Sequence, residues 1–156
     1  MIIAGTGRRP NNLGGYNIPN PTYNKVCKEI KRVLLEQKPD KVISGFALGF
    51  DQWLANMAIK LNIPVIAAIP FKGQESQWNE ESQRIYNILL NKCSEQVIVS
   101  EGNFSAYKMH KRNEWMVDHC DILITAWDNV KSGGTYECIK YAESLNKTII
   151  HLDIAT

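Results

Sequence analysis

Val42-Ile43-Ser44-Gly45-Phe46-Ala47-Leu48-Gly49-Phe50-Asp51 begins as an apolar run, breaks into small residues and resumes in a helical pattern. A strand that turns into a helix in this way can hold an anion. Gly45 and Gly49, with Ala47 between them, remove side-chain bulk that would keep a phosphate from the main-chain N–H groups, and the glycines permit positive φ where the chain reverses. Ser44 adds a hydroxyl. From Asp51 to Leu61 the apolar positions Trp53, Leu54, Met57, Ala58 and Leu61 form one helical stripe, so the free N–H groups and positive dipole end of that helix point back at the turn. Asp51 has two readings that stay open at this level: a cap for the helix N-terminus, or a contact with ligand hydroxyls such as those of a ribose. The flanking strand and helix patterns are the context that a phosphate-binding turn requires.

Outward from this turn, strand-like apolar runs alternate with amphipathic helical stretches along the whole chain. The spacing predicts strands over Met1–Thr6, Lys41–Ser44, Pro64–Ile69, Gln96–Ser100, Ile122–Ala126 and Thr148–Leu152. It predicts helices over Pro21–Gln37, Phe50–Leu61, Gln77–Lys92, Ala106–Asp118 and Thr135–Leu145. Such alternation implies an α/β fold with a mostly parallel central sheet. The one long irregular segment, Gly7 to Asn20, is rich in Gly, Asn and Pro and follows directly on the first strand, where loops commonly carry function.

A chain of 156 residues, 44% hydrophobic and 22% charged, suits a single domain whose core needs no metal or disulfide support. No apolar run reaches membrane-spanning length and no signal peptide is evident, so the expected setting is cytoplasmic, without a membrane partner. The four cysteines, Cys27, Cys93, Cys120 and Cys138, lack any C-x-x-C spacing and are expected as buried thiols. His110, His119 and His151 show no metal-ligand spacing, and there is no G-x-S-x-G elbow. A metal site, a triad hydrolase and a resident cofactor are therefore not expected. The formal charge of +2 is too small to mark a nucleic-acid binder.

In an open parallel sheet the ligand crevice lies beyond the carboxyl ends of the strands, where neighbouring connections depart in opposite directions. The candidate residues all follow strands. Gly5, Thr6, Gly7, Arg8 and Arg9 belong to the first; Ser44 to Asp51 to the second; Pro70, Phe71, Gln74 and Trp78 to the third. Trp127, Asp128, Gly133, Gly134, Thr135 and Glu137 follow the strand ending near Ala126. This convergence implies one shared nucleotide site. Arg8 and Arg9 can supply the cationic contact that a phosphate favours, or form a solvated pair. Trp78 and Trp127 offer flat faces for a base, or simply pack. The turn Ser132-Gly133-Gly134-Thr135 opens a helix and can hold a second phosphate or a ribose, with Thr135 alternatively its N-cap.

The string S-G-F-A-L-G-F-D at 44–51 resembles the S-G-x-A-x-G-x-D turn of DNA-processing protein A, a member of the SLOG superfamily of Rossmann-like nucleotide-binding proteins. The opening G-T-G-R-R-P with L-G-G-Y, then I-P-F-K-G-Q-E-S-Q-W, K-R-N-E-W-M-V-D-H-C-D and the late G-G-T turn, are similar to the YpsA-like branch of that superfamily. This resemblance covers nearly the whole chain and implies a single three-layer Rossmann-like domain over 1–156. Arg8 stands where that branch has histidine. Arg112 and Asn113 match its R-N pair, which implies a ligand contact or a brace for the neighbouring loops. The G-G-T-Y-E turn resembles the G-G-x-G-T-x-x-E of the superfamily's cytokinin-activating phosphoribohydrolases, whose glutamate assists cleavage between base and ribose. Here Glu137 comes two residues after Thr135 instead of three, which turns a helical side chain by roughly 100°. Superfamily members often pair, so a homodimer is expected, with the face of Trp115 and Met116 as a candidate surface unless those residues cover the sheet.

Three functional readings follow. The first is a protein that senses or sequesters a nucleotide or nucleotide-derived signal, such as an ADP-ribose-like molecule or a cyclic nucleotide. The second is a nucleotide N-glycosidase, with Glu137 or Asp51 orienting water or stabilising a ribosyl cation. The third is a single-strand DNA-binding module, which needs a basic groove with stacking aromatics and is disfavoured by the modest charge.

Overall fold

The computed structural model describes residues 1–155. Its strands are β1 (Ile2–Gly7), β2 (Lys41–Ser44), β3 (Val65–Ile69), β4 (Glu95–Ile98), β5 (Ile122–Ala126) and β6 (Thr148–His151). All pair in parallel, in the order β4-β3-β2-β1-β5-β6. The helices α1 (Pro21–Gln37), α2 (Phe50–Lys60), α3 (Glu80–Asn91), α4 (Ala106–Asp118) and α5 (Gly133–Ser144) make the crossovers. The sheet is thus a Rossmann-like α/β layer, and the chain steps outward from β1 to β4 before returning to β5 on the other side of β1. The topological switch point therefore lies between the carboxyl ends of β1 and β5.

Strand side chains alternate between two faces. Ile3, Val42 and Val65 join α1, α2 and α3 residues such as Ile30, Leu54 and Leu89 in one buried cluster. Ala4, Ile43 and Ile66 join Met116, Val117, Cys138 and Ala142 of α4 and α5 in the other. Met116 is only 1% exposed, and Trp115 packs against the same cluster and stacks on His119. The residues expected as a dimer surface are used to cover the sheet.

Element ends shift where local chemistry differs from the apolar pattern. β1 continues through Gly7, which pairs with Ala126. α3 begins at Glu80 because Asn79 Oδ1 accepts from Ser82 N at 2.8 Å, and Glu80 and Glu81 then suit the positive end of the helix. α5 opens two residues earlier than expected, at Gly133. Gly5 and Gly7 serve packing: a Cβ on Gly5 would lie 2.6 Å from Leu54 Cδ2, and one on Gly7 would collide with the Phe50 ring. They let α2 sit close on β1. Cys120 and Cys138 are buried, Cys27 and Cys93 half-buried, and all four are free. Among the described residues no helix is long and apolar enough to cross a membrane.

Candidate functional site

The turn after β2 is held from beneath. Ser44 is fully buried; its Oγ donates to the Asp51 carbonyl at 2.6 Å and accepts from Phe46 N at 3.2 Å, so the hydroxyl fastens the turn and does not face a ligand. Phe46 has φ +58, unusual for a bulky side chain, and Gln52 Nε2 donates to its carbonyl at 3.3 Å. Gly45 has no Cβ because Arg112 occupies that space: the guanidinium donates to the Gly45 carbonyl at 2.6 Å, and a Cβ would lie 2.7 Å from Arg112 Cζ. Gln74 donates to the same carbonyl at 3.1 Å. Gly49, at φ +92, faces the Arg8 carbonyl and Pro10, which a Cβ would meet at 2.9 Å. Both glycines thus make room for the protein's own groups.

Above this scaffold, at the β1–β5 switch point, lies a polar cleft of about 160 Å³. Thr6, Gly7, Arg8, Arg9 and Asn12 line it from the β1 side, Ala47 and Asp51 from the β2 turn, Arg112 and Asn113 from α4, and Gly134 and Thr135 from α5. Asp51 is 7% exposed. Its Oδ2 accepts from Ala47 N at 3.2 Å, while Oδ1 has no partner among the described residues and stays open to the cleft. Burial pushes the Asp51 carboxyl above its ordinary range, with Arg112 and Arg9 pulling the other way. Burial likewise pushes Arg112 down, and Asp51 opposes that shift. Arg9 is exposed and makes no ion pair or side-chain hydrogen bond among the described residues, so its charge is available at the rim. α5 has no side-chain N-cap, and Gly134 and Thr135 of its first turn line the cleft, which leaves first-turn amides there for an anion.

The fold agrees with the known proteins that the chain resembles. Its sequence matches the profile of the YspA SLOG family over residues 3–155. The chain belongs to that family. It is 33% identical over 144 residues to the uncharacterized SPbeta prophage-derived protein YoqJ of Bacillus subtilis, spanning 80% of this chain and 84% of that one. Among solved structures, DNA processing protein A from Streptococcus pneumoniae superposes with a TM-score of 0.66 at 18% identity, covering 96% of this chain and 49% of that one. DNA processing protein A from Helicobacter pylori, described for its single-stranded DNA binding mode, gives 0.68 at 18% identity over 97% of this chain and 64% of that one. This SLOG domain spans about half to two thirds of those chains, and the likeness is one of fold.

Several residues expected at the site of this SLOG domain are taken up by contacts within the protein, and of these only Arg8 lines the cleft. Arg8 is a clamp: its Nε donates to Asp128 Oδ1 at 2.9 Å, and its other nitrogens donate to the Val130 carbonyl at 2.7 Å and the Ser132 carbonyl at 3.0 Å. Asp128 and Arg8 thereby join the two strands of the switch point. Gly133, at φ +86, lets the Arg8 guanidinium approach. Trp127 stacks on Tyr136 and hydrogen-bonds the Val130 carbonyl at 3.0 Å. Trp78 packs edge-on against Tyr86, and Phe71 against Phe104. Pro70 is buried, and its carbonyl ties the end of β3 to Ser100. Glu137, expected as a candidate for catalysis, is exposed and lines a neighbouring depression with His110, Asn113, Glu114 and Tyr141. Sequence reasoning missed Asn12 and Gln52. Asn12 lies inside the Gly/Asn/Pro-rich segment marked as functional, whereas no pattern singles out Gln52. A larger groove of about 350 Å³, lined by Tyr16, Ile18, Trp53, Ile85 and Ile88 among others, runs along α2 and α3, away from the switch-point cleft.

Proposed function

We propose that this protein binds a nucleotide or a nucleotide-derived molecule in the β1–β5 cleft, and that it acts by binding, as a sensor or sequestering protein. The observation that carries this reading is Asp51, a buried carboxylate whose open oxygen shares a cleft with a free cation, Arg9, and with the uncapped end of α5. A phosphate suits the cation and the amides, and a hydroxyl donor suits the carboxylate. The position at a topological switch point supports the same ligand class.

The N-glycosidase alternative has less support. Glu137 does not line the cleft, which leaves Asp51 as the only acidic side chain among the described residues that line it. Titration calorimetry and native mass spectrometry with mononucleotides, dinucleotides, ADP-ribose and cyclic nucleotides test the proposal. The expected result is a ligand recovered unchanged, with Glu137→Gln without effect. Release of free base, or preference for a single-stranded oligonucleotide with affinity falling steeply with salt, would overturn it.

A further inference from the structure

The cleft is small and its lining is uniformly short or polar. Pockets that enclose a whole drug-sized ligand run on the order of 300–1,000 Å³, and this one measures about 160 Å³. It therefore takes a fragment of a nucleotide. Among the described residues that line it, none is aromatic. The two tryptophans nearest to the strand ends in sequence, Trp78 and Trp127, have their rings against Tyr86 and Tyr136. A base would find no stacking partner in the cleft, and stacking is the main way proteins gain base affinity without reading its edges.

The sugar and phosphate, in contrast, find complementary groups. Asp51 Oδ1 is an acceptor on a side chain more than nine-tenths buried, open only toward the cleft. A carboxylate accepts hydrogen bonds and donates none, so it calls for hydroxyl donors and repels a phosphate placed directly on it. Arg9 and the α5 amides are the donors for that phosphate. Asn113 Oδ1 accepts from Arg112 Nε at 3.0 Å, which fixes its amide so that Nδ2 faces Gly134, 4.0 Å from where a Cβ would be. The cleft thus brings together an acceptor, Asp51, and donors, Arg9 and the first turn of α5.

We infer that the cleft recognises the ribose phosphate of its ligand and is indifferent to the base, with Asp51 taking sugar hydroxyls and Arg9 with the first turn of α5 taking phosphate. This rests on the nucleotide-binding reading above and narrows it to ligands that carry a ribose phosphate.

Calorimetry on the full chain tests it with ribose 5-phosphate, AMP, GMP, CMP, UMP, adenosine and inorganic phosphate. The four monophosphates are expected to bind within about threefold of one another and ribose 5-phosphate within about tenfold of them, while adenosine and inorganic phosphate bind at least tenfold more weakly than ribose 5-phosphate. Asp51→Asn should lower ribose 5-phosphate affinity at least tenfold, and Trp127→Leu should leave it unchanged. A spread beyond thirtyfold among the monophosphates, or ribose 5-phosphate a hundredfold weaker than the best of them, overturns this inference while leaving nucleotide binding intact. Inorganic phosphate equal to ribose 5-phosphate overturns the role of Asp51. No binding by any phosphorylated ligand overturns both readings.

Discussion

The guanidinium of Arg112 donates to the carbonyl of Gly45 at 2.6 Å, from the space where any other residue at 45 would carry its Cβ. Arg112 is 3% exposed and comes from α4, so this single contact ties the far side of the sheet to the turn that shapes the cleft. It also holds a positive charge near Asp51 without forming a direct ion pair with it.

Gly45→Ala is expected to displace the guanidinium and cost about 1–3 kcal/mol, the usual range for overpacking. Arg112→Met should also destabilise, because it leaves the Gly45 carbonyl with Gln74 alone. The two should not add. Once the guanidinium is gone the alanine methyl has room, so the double variant should be more stable than the sum of the singles by about 1 kcal/mol or more. Urea unfolding of the four proteins checks this, and additivity within about 0.5 kcal/mol would show that the two residues do not compete for one space.

Arg8 and Arg9 are adjacent in sequence and opposite in role. Arg8→Gln removes an ion pair whose arginine side chain is 11% exposed, together with two carbonyl acceptors. Its melting temperature should fall, by about 2–4 °C for each kcal/mol lost in a domain of this size. Arg9→Gln touches no internal partner and should leave stability within about 0.5 kcal/mol of wild type. It should nevertheless weaken phosphate-bearing ligands by about tenfold through loss of a charge-assisted contact. Thermal melts and calorimetry on the same preparations separate the two effects. A destabilised Arg9→Gln protein with undiminished affinity would reverse the assignment.

The sheet and the helices were legible in the sequence, because hydrophobic period and glycine-rich breaks are local signals, and a polar cleft lies at the strand ends where the candidate residues were expected to converge. The Val42 to Ser44 run and the stripe after Asp51 are where expected. What each polar residue does was not legible, because it depends on partners far away in the chain. Arg8 is consumed by Asp128, 120 residues later. Gly45 is small for an arginine 67 residues later and not for a phosphate. Trp78 and Trp127 are residue types that stack on bases, and tertiary packing sets their rings against Tyr86 and Tyr136. Glu137 was expected in the shared site as a candidate catalytic acid, and the structure places it in a neighbouring depression, with the spacing from Thr135 one residue, or roughly 100° of helix, short of the resembled turn.

Burial pushes the phenol of Tyr86 up to about 12, and the thiols of Cys93 and Cys138 also to about 12. In each case the folded chain holds the neutral form while the unfolded chain ionises earlier. The folded state therefore binds more protons above the ordinary pKa of these groups, and stability falls as pH rises. The contribution is fully present below about pH 8.5 and is lost between there and about pH 12, the interval from an ordinary thiol to these raised values. The urea midpoint should be level from pH 7 to 8 and then decline through pH 11. Tyr86→Phe should make that decline shallower above pH 10, since one titrating group is gone. An unchanged slope above pH 10 would mean that Tyr86 ionises as freely in the fold as out of it.

Asp51 is expected to couple stability to binding. Its carboxyl is raised by burial despite the pull of Arg112 and Arg9, so the folded state favours the protonated form more than the unfolded state does. Any stabilisation from that proton is present in acid and is lost as pH rises through the folded pKa. Above the ordinary carboxyl pKa the raised value counts against the fold, and Asp51→Asn, a neutral side chain of nearly the same shape, should melt higher than wild type. The gap should be largest near pH 7.5 and close as pH falls toward 4. Ribose 5-phosphate should raise the wild-type melting temperature and leave that of the variant nearly unmoved, the exchange of stability for function expected at a binding site. Scanning melts at pH 4, 6 and 7.5, each with and without ribose 5-phosphate, measure both halves. A variant that melts lower than wild type at pH 7.5 would mean that the attraction of Arg112 for Asp51 outweighs the cost of burying the carboxylate, and Asp51 would then be part of the scaffold first.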